Sequence, residues 1–262
     1  MTNSLKILLA EDNEISQHLM VRILSRIGYE AVMVENGIKV LEKLDHGDFD
    51  VILMDIQMPE MDGLTATQII RTRYPPERQP KIVAFTADSS IGEKGKYLNI
   101  GMDEVLTKPV QLDELMAILA NYSSQNNAKR SGFSNQSLEE KSEVSKIFDQ
   151  RVLMDFKLLM GDEGKEALAQ LITLYKKDAT SCIEKLKTAQ SQLDIENLLK
   201  VAHTFKGCSS QVGAVELGNL IIGLEQKMKL TNIEDPQDSL LEIYEATVRL
   251  FGELDRFQAH VG

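Results

Sequence analysis

Two fold classes follow one another in this chain: an α/β domain built on a parallel sheet, then an all-α helical bundle. Three observations predict this. Over the first 122 residues, short runs of Val, Ile and Leu alternate with stretches of helical spacing, the pattern of a parallel sheet covered by helices on both faces. From about Ile147 the alternation stops, and long amphipathic stretches follow one another with short connections, as in a bundle. Between the two, residues 123–146 (SSQNNAKRSGFSNQSLEEKSEVSK) carry almost no apolar content and read as a linker. A chain of 262 residues is long enough for two hydrophobic cores.

The expected strands are Lys6–Leu9, Ala31–Val34, Val51–Met54, Ile82–Phe85 and Val105–Leu106. Each is short, rich in β-branched residues or Leu, and followed by polar or turn residues. Glu14–Ile27 and Gln111–Tyr122 have helical spacing. In the second half, helices are expected at Glu163–Ala189, Ile195–Gln211, Ala214–Lys229 and Pro236–Ala259, punctuated by Gly213 and by Thr231–Asp235. No internal repeat is visible.

The formal net charge is −11, distributed as −7 over residues 1–122, +1 over 123–146 and −5 over 147–262. No part carries a basic field, which argues against nucleic acid as a partner. Two cysteines, Cys182 and Cys208, make no disulfide framework and fit a reducing cytoplasm. The opening ten residues are too short for a signal-peptide core, and no apolar run approaches membrane length, so membrane insertion is not expected.

Ligands of a parallel α/β sheet bind beyond the carboxyl ends of its strands. Read in order, those ends carry Glu11 and Asp12, Asp55, Thr86 and Lys108. Taken singly each is commonplace, since an acidic pair after a strand is usually solvated and a strand-end Thr is usually satisfied locally. Their joint occurrence, each at its own strand end, makes the case. Converging carboxylates repel one another, and a divalent cation relieves that repulsion; hard oxygen ligands favour Mg²⁺. Asp55 is then placed to attack phosphorus as a carboxylate nucleophile. Lys108 supplies a cation for phosphoryl oxygens, and Thr86 a hydroxyl.

The segments LLAEDNEISQ, VILMDIQMPEMDG, IVAFTAD and EVLTKP together resemble the receiver domain of two-component response regulators, over roughly residues 4–122. The resemblance implies a flavodoxin-like, five-stranded parallel sheet in order 2-1-3-4-5 with five helices. It further implies that Asp55 is phosphorylated. Mg²⁺ would be bound by Asp12, Asp55 and the main-chain carbonyl of Gln57, with Glu11 acting through water. Thr86 and Lys108 would contact the phosphoryl group. One departure stands out: the family usually has an aromatic residue three positions before the lysine, and here that position is Val105.

On a helical wheel of residues 195–212, Leu198, Val201, Ala202, Phe205, Cys208, Ser209 and Val212 gather on one side. His203, Lys206, Gly207 and Ser210 gather on the other, which places the His203 imidazole in solvent. A surface histidine alone means little, and His18, His46 and His260 read as no more than that. A glycine in a helix interior costs about 1 kcal/mol relative to Ala. One turn from an exposed imidazole it has a purpose, removing bulk so that another protein can approach. Lys206 is expected to add positive charge beside a phosphoryl group on His203. The segment AHTFKGCSSQVGA resembles the core of the histidine-containing phosphotransfer (HPt) domain, over about Phe148 to Phe257. The resemblance implies a four-helix bundle with a short leading helix near Asp149–Leu159, phosphorylation of His203, and supporting roles for Lys206 and Gly207.

The boundaries that follow are a receiver domain over residues 4–122, a linker over 123–146 and an HPt domain over 147–260. The expected function is phosphorelay in the cytoplasm. Asp55 accepts phosphate from a sensor histidine kinase, and His203 exchanges phosphate with a receiver aspartate. A flexible linker of this length spans roughly 27 Å, enough for exchange within one chain. No Walker-type phosphate loop appears, so the chain is a phosphotransfer protein without an ATP-binding kinase domain. Two competing classes are a Mg²⁺-dependent aspartyl-phosphate phosphatase and an unphosphorylated scaffold. The first usually needs an acid two residues after the nucleophile, where this chain has Gln57. The intact set of site residues opposes the second.

Overall fold

The computed structural model describes residues 5–86, 91–126, 147–230 and 236–261. The chain divides into two compact units, Met1–Lys141 and Ser142–Gly262. Most of the segment expected as a linker lies outside the described residues, as does the break at Thr231–Asp235.

The first unit alternates five strands with five helices. The strands are β1 (Ile7–Ala10), β2 (Ala31–Val34), β3 (Val51–Asp55), β4 (Lys81–Thr86) and β5 (Glu104–Thr107). The helices are α1 (Glu14–Arg26), α2 (Gly37–His46), α3 (Gly63–Arg73), α4 (Ile91–Ile100) and α5 (Leu112–Asn126). All strand pairs are parallel, and the sheet order is β2-β1-β3-β4-β5, as expected. Helix α5 runs past the expected boundary at Tyr122, to Asn126.

Parallel strands covered on both faces need apolar side chains in both directions. Leu8, Ile52, Met54 and Ile82 pack with Val40 and Leu44 of α2 and Ala66 and Ile70 of α3. Ile7, Leu9, Leu53 and Val83 alternate with these and are equally buried. The edge strand β2 is the exception, with Val32 and Met33 exposed. Side-chain caps set the helix starts. Asn13, Asn36 and Asp62 each accept a hydrogen bond from a main-chain N–H three residues on, at 2.9, 2.9 and 2.7 Å.

The second unit is helical throughout its described residues: α6 (Gln150–Met160), α7 (Gly164–Ser191), α8 (Ile195–Gln211), α9 (Val215–Leu230) and α10 (Gln237–Val261). Helices α7, α8, α9 and α10 each pack on the next and α10 closes onto α7, making a four-helix bundle; α6 leans on α7. Asp194 caps α8, accepting from the Asn197 N–H at 3.0 Å. At its other end Gly213 adopts φ +71°, a left-handed conformation that suits glycine, and the Ala214 N–H returns to the Ser209 carbonyl at 3.0 Å. A Cβ at Gly213 would meet the Asp149 carbonyl oxygen at 2.5 Å, so the end of α8 packs directly on the start of α6.

Candidate phosphoacceptor sites

The first site lies along the carboxyl edge of the sheet. Glu11 and Asp12 follow β1, Asp55 ends β3, Thr86 ends β4 and Lys108 follows β5. The parallel register brings these ends level, with Ala10 opposite Met54 and Thr86 opposite Thr107. One carboxylate oxygen from each of Glu11, Asp12 and Asp55 lies within 4.8 Å of the others. Glu11 and Asp55 are buried and Asp12 is half-buried. Lys108 Nζ donates to Asp55 Oδ2 at 2.7 Å and to Glu11 Oε2 at 2.5 Å, and stands 4.4 Å from the centre of the Phe85 ring. Two buried carboxylates therefore share one ammonium.

That imbalance shows in their ionisation. Burial pushes the Glu11 carboxyl up; the Lys108 ammonium opposes this and the Asp55 charge adds to it. Burial alone would lower Lys108, but Asp55 and Glu11 outweigh it and its pKa is raised. The donor set suits a hard divalent cation, since three carboxylates meet at one edge and two of them already share the Lys108 ammonium. The exposed Gln57 sits beside them, its N–H donating to Asp55 Oδ1 at 3.3 Å. Thr86 is 2% exposed, and its carbonyl accepts from the Lys108 N–H at 2.8 Å. Gly63 is part of the construction: a Cβ there would stand 2.1 Å from the Asp55 carbonyl oxygen. Val105, which replaces the usual aromatic residue, is buried in the core beneath this edge.

The second site lies at the middle of α8. Leu198, Ala202, Phe205 and Cys208 are buried, as the wheel requires. The opposite face is less open than the wheel implies. His203 keeps 18% of its side-chain exposure, and Lys206 only 9%. The expectation of a His203 imidazole standing free in solvent is therefore corrected. Helix α9 covers that flank of α8, and Lys206 Nζ donates to Glu225 Oε2 at 2.9 Å. The other oxygen of the same carboxylate, Oε1, lies 3.3 Å from His203 Nδ1. Burial pushes the Glu225 carboxyl up, but hydrogen bonds from His203 and Lys206 outweigh this and hold it below the ordinary value. A Cβ at Gly207 would meet nothing within 4 Å, so the surface of α8 is open at that position.

Glu225 joins this site from α9, and the sequence carries a signal for it. Leu217, Ile221 and Leu224 form the buried stripe of α9. Glu225 is four residues after Ile221, a charge placed on the packed face.

A family model for the response regulator receiver domain matches residues 7–120, and one for the Hpt domain matches residues 170–260. Among curated relatives, the aerobic respiration control sensor protein ArcB of Escherichia coli K12 is 28% identical over 217 residues, which is 83% of this chain and 27% of ArcB. The sensor protein GacS of Pseudomonas syringae pv. syringae is 27% identical over 256 residues, 95% of this chain and 27% of GacS. Hybrid signal transduction histidine kinase G of Dictyostelium discoideum is 41% identical over 123 residues, 46% of this chain and 4% of that protein. The chain thus spans about a quarter or less of the length of these relatives. Among solved structures, the receiver domain of the Pseudomonas aeruginosa sensor histidine kinase PA1611, which holds a magnesium ion in its active-site cleft, is 34% identical. That alignment covers 46% of this chain and 98% of that one, with a TM-score of 0.43.

Proposed function

The chain belongs to the two-component phosphorelay proteins, carrying a receiver domain and an Hpt domain, and from that premise we propose that Asp55 and His203 are its two phosphoacceptors. The observation that carries this reading is the pairing of Asp55 Oδ2 with Lys108 Nζ at 2.7 Å, at a strand end beside two further acids. A phosphohistidine of a sensor histidine kinase presents its phosphorus to a carboxylate oxygen of Asp55. The new O–P bond forms as the N–P bond breaks, and the imidazole keeps the electron pair. Lys108 moves with the charge, since its ammonium already bridges Asp55 and Glu11. Thr86 offers its hydroxyl to a phosphoryl oxygen. Asp12, Asp55 and the Gln57 main-chain carbonyl would hold Mg²⁺ directly, and Glu11 through water. When bound, the ion screens the negative charge of the incoming phosphoryl group.

His203 carries the phosphoryl group in exchange with the aspartate of a receiver domain. Gly207 leaves room for that partner to approach. The domain boundaries at residues 122 and 147, the placement in the cytoplasm and exchange between the two sites of one chain belong to the same proposal. Incubation with phosphoramidate and Mg²⁺ tests it. The intact chain should carry a base-labile phosphoryl group lost in Asp55→Ala and an acid-labile one lost in His203→Gln. Labelling that survives either substitution at its own site contradicts the assignment.

A further inference from the structure

The loop between β3 and α3 leads from Asp55 to Gly63 and carries Gln57. Its base is closed by the Gly63 N–H, which donates to the Ile56 carbonyl at 2.9 Å. Gln57, Pro59, Glu60 and Asp62, between those points, are exposed. Glu60 takes φ +64°, the left-handed region, which a residue with a long side chain seldom adopts unaided. The turn after β2 holds this loop from the side. Asn36 is 2% exposed and caps α2, its Oδ1 accepting from the Lys39 N–H at 2.9 Å. That bond fixes which way the amide faces, so Nδ2 points at the loop and donates to Glu60 Oε1 at 3.1 Å. The next residue adds a second tie, as the Gly37 N–H donates to the Met61 carbonyl at 2.9 Å. The fit there is close: a Cβ at Gly37 would stand 2.7 Å from Met61 Cγ and 2.8 Å from the Met61 carbonyl oxygen.

We propose that Asn36 and Glu60 are positioning residues of the sheet-edge site: the bond between them holds Glu60 in its left-handed conformation and so fixes the path of the loop that carries the Gln57 carbonyl. The proposal rests on the reading of that edge as a Mg²⁺-assisted phosphoacceptor site, and it adds what sets the direction of the main-chain ligand.

A main-chain carbonyl has no rotamer of its own. Its direction follows from the φ and ψ angles around it, so a loop that changes path moves the ligand with it. Both ends of this loop are anchored close to Asp55. The Gln57 N–H donates to Asp55 Oδ1 at 3.3 Å, and Gly63 lies so near the Asp55 carbonyl oxygen that a Cβ would stand 2.1 Å from it. Among the described residues, the hydrogen bonds that tie the stretch between those ends to another part of the unit come from Asn36 and Gly37.

The grip falls on the position where the loop is strained. Relaxation of Glu60 out of the left-handed region would swing the peptide planes on either side of it, and strain of this kind persists only where neighbouring groups enforce it. The two partners are unequal in a useful way. Glu60 is exposed and has water as an alternative partner, whereas a buried amide N–H left without an acceptor is costly. The demand for the bond therefore comes from Asn36, which α2 and its cap hold in place, and the loop is drawn to it.

The test is made in the full-length chain carrying His203→Gln, so that Asp55 is the acceptor. Mg²⁺ affinity is read from amide shifts as MgCl₂ is added, and the labelling rate from phosphoramidate at each Mg²⁺ concentration. Asn36→Ser keeps a cap for α2 but is too short to reach Glu60. It should raise the half-saturating Mg²⁺ concentration by about threefold to tenfold, below the roughly 10- to 100-fold seen when a group bonded directly to a ligand is lost. The labelling rate at saturating Mg²⁺ should stay within about twofold of the parent, a split that a general loss of structure would not produce. Glu60→Ala should do the same, and the two substitutions together should bind no more weakly than Glu60→Ala alone. Glu60→Gln keeps an accepting oxygen without the charge and should bind Mg²⁺ as the parent does. Unchanged affinity in Asn36→Ser or Glu60→Ala would overturn the proposal, as would multiplicative losses in the pair. Weak binding by Glu60→Gln would also overturn it, since Glu60 would then act through its charge. Glu60 is exposed, so its two variants carry the test if Asn36→Ser fails to fold. A parent that shows no Mg²⁺-dependent shifts would instead contradict the metal reading of the sheet edge itself, a result distinct from a parent and variants that bind equally well.

Discussion

Among the described residues each unit buries one lysine beside its proposed acceptor, and the two lysines face different company. At the sheet edge two buried carboxylates, Glu11 and Asp55, share the one Lys108 ammonium, so among the described residues that pair of acids is short of positive charge. On the bundle, among the described residues, Lys206 pairs one to one with Glu225, and the two charges balance. A deficit of charge in a buried site is met by a proton or a cation. The raised carboxyl of Glu11 is the proton form of that answer, and a divalent cation is the other. The bundle site needs neither, because its acceptor is a ring that can be neutral. If Asp55 and His203 are the acceptors proposed above, a phosphoryl group would enter a site rich in anions at Asp55, and at His203 a site whose carboxylate is already paired.

The comparison breaks most completely through the acceptors. Asp55→Ala should abolish phosphorylation of the first unit while leaving that of His203 intact, and His203→Gln should do the converse. Peptide mapping after phosphoramidate treatment checks both at once.

A smaller effect separates the two glycines. Gly63→Ala should destabilise the first unit by about 3 kcal/mol, the upper end for a residue forced into packed main chain, because its Cβ would lie 2.1 Å from the Asp55 carbonyl oxygen. Gly207→Ala meets open space and should stabilise the bundle by up to about 1 kcal/mol through helix propensity alone. Urea melts of the two variants should move in opposite directions. Gly207→Leu should slow transfer to a partner receiver without slowing labelling by phosphoramidate, which is small enough to pass.

The smallest expected effect concerns acid. Glu225 is held below its ordinary value of 4.5. Its contribution to stability is therefore fully present above that pH and is lost as pH falls through the lowered folded value. Melting temperatures taken from about pH 6 to about pH 3 should fall less in Glu225→Gln than in the parent, since the variant has no carboxylate to protonate. An identical fall in both would mean that the pairing of Glu225 with His203 and Lys206 adds nothing to the fold.

Much of this was legible in the sequence, for identifiable reasons. The central strands announced themselves because a parallel sheet buried on both faces demands continuous Val, Ile and Leu; the half-exposed edge strand β2 and the helix α8 also fall where the sequence pattern puts them. The sheet-edge residues were legible because strand ends are fixed points: once β1, β3, β4 and β5 are placed, Glu11, Asp12, Asp55, Thr86 and Lys108 follow. The bundle site was only half legible. A helical wheel knows one helix, so it placed His203, Lys206 and Gly207 on a common face but could not see α9 lying against that face. The wheel therefore puts the His203 imidazole in solvent and carries no trace of Glu225, which a different helix supplies. Partners that come from a neighbouring element are set by packing, and the spacing along one helix does not encode them.

The central claim is that the sheet-edge site is deficient in positive charge and the bundle site is not. Its most direct test is labelling by one donor, phosphoramidate, in two variants of the full chain, with Mg²⁺ and with excess EDTA. In His203→Gln, which leaves Asp55 as the acceptor, labelling should disappear when the cation is removed. In Asp55→Ala, which leaves His203, the rate should change by less than about twofold, as expected for a site whose carboxylate already has its own counter-ion. Metal-independent labelling of Asp55, or loss of His203 labelling in EDTA, would contradict the account.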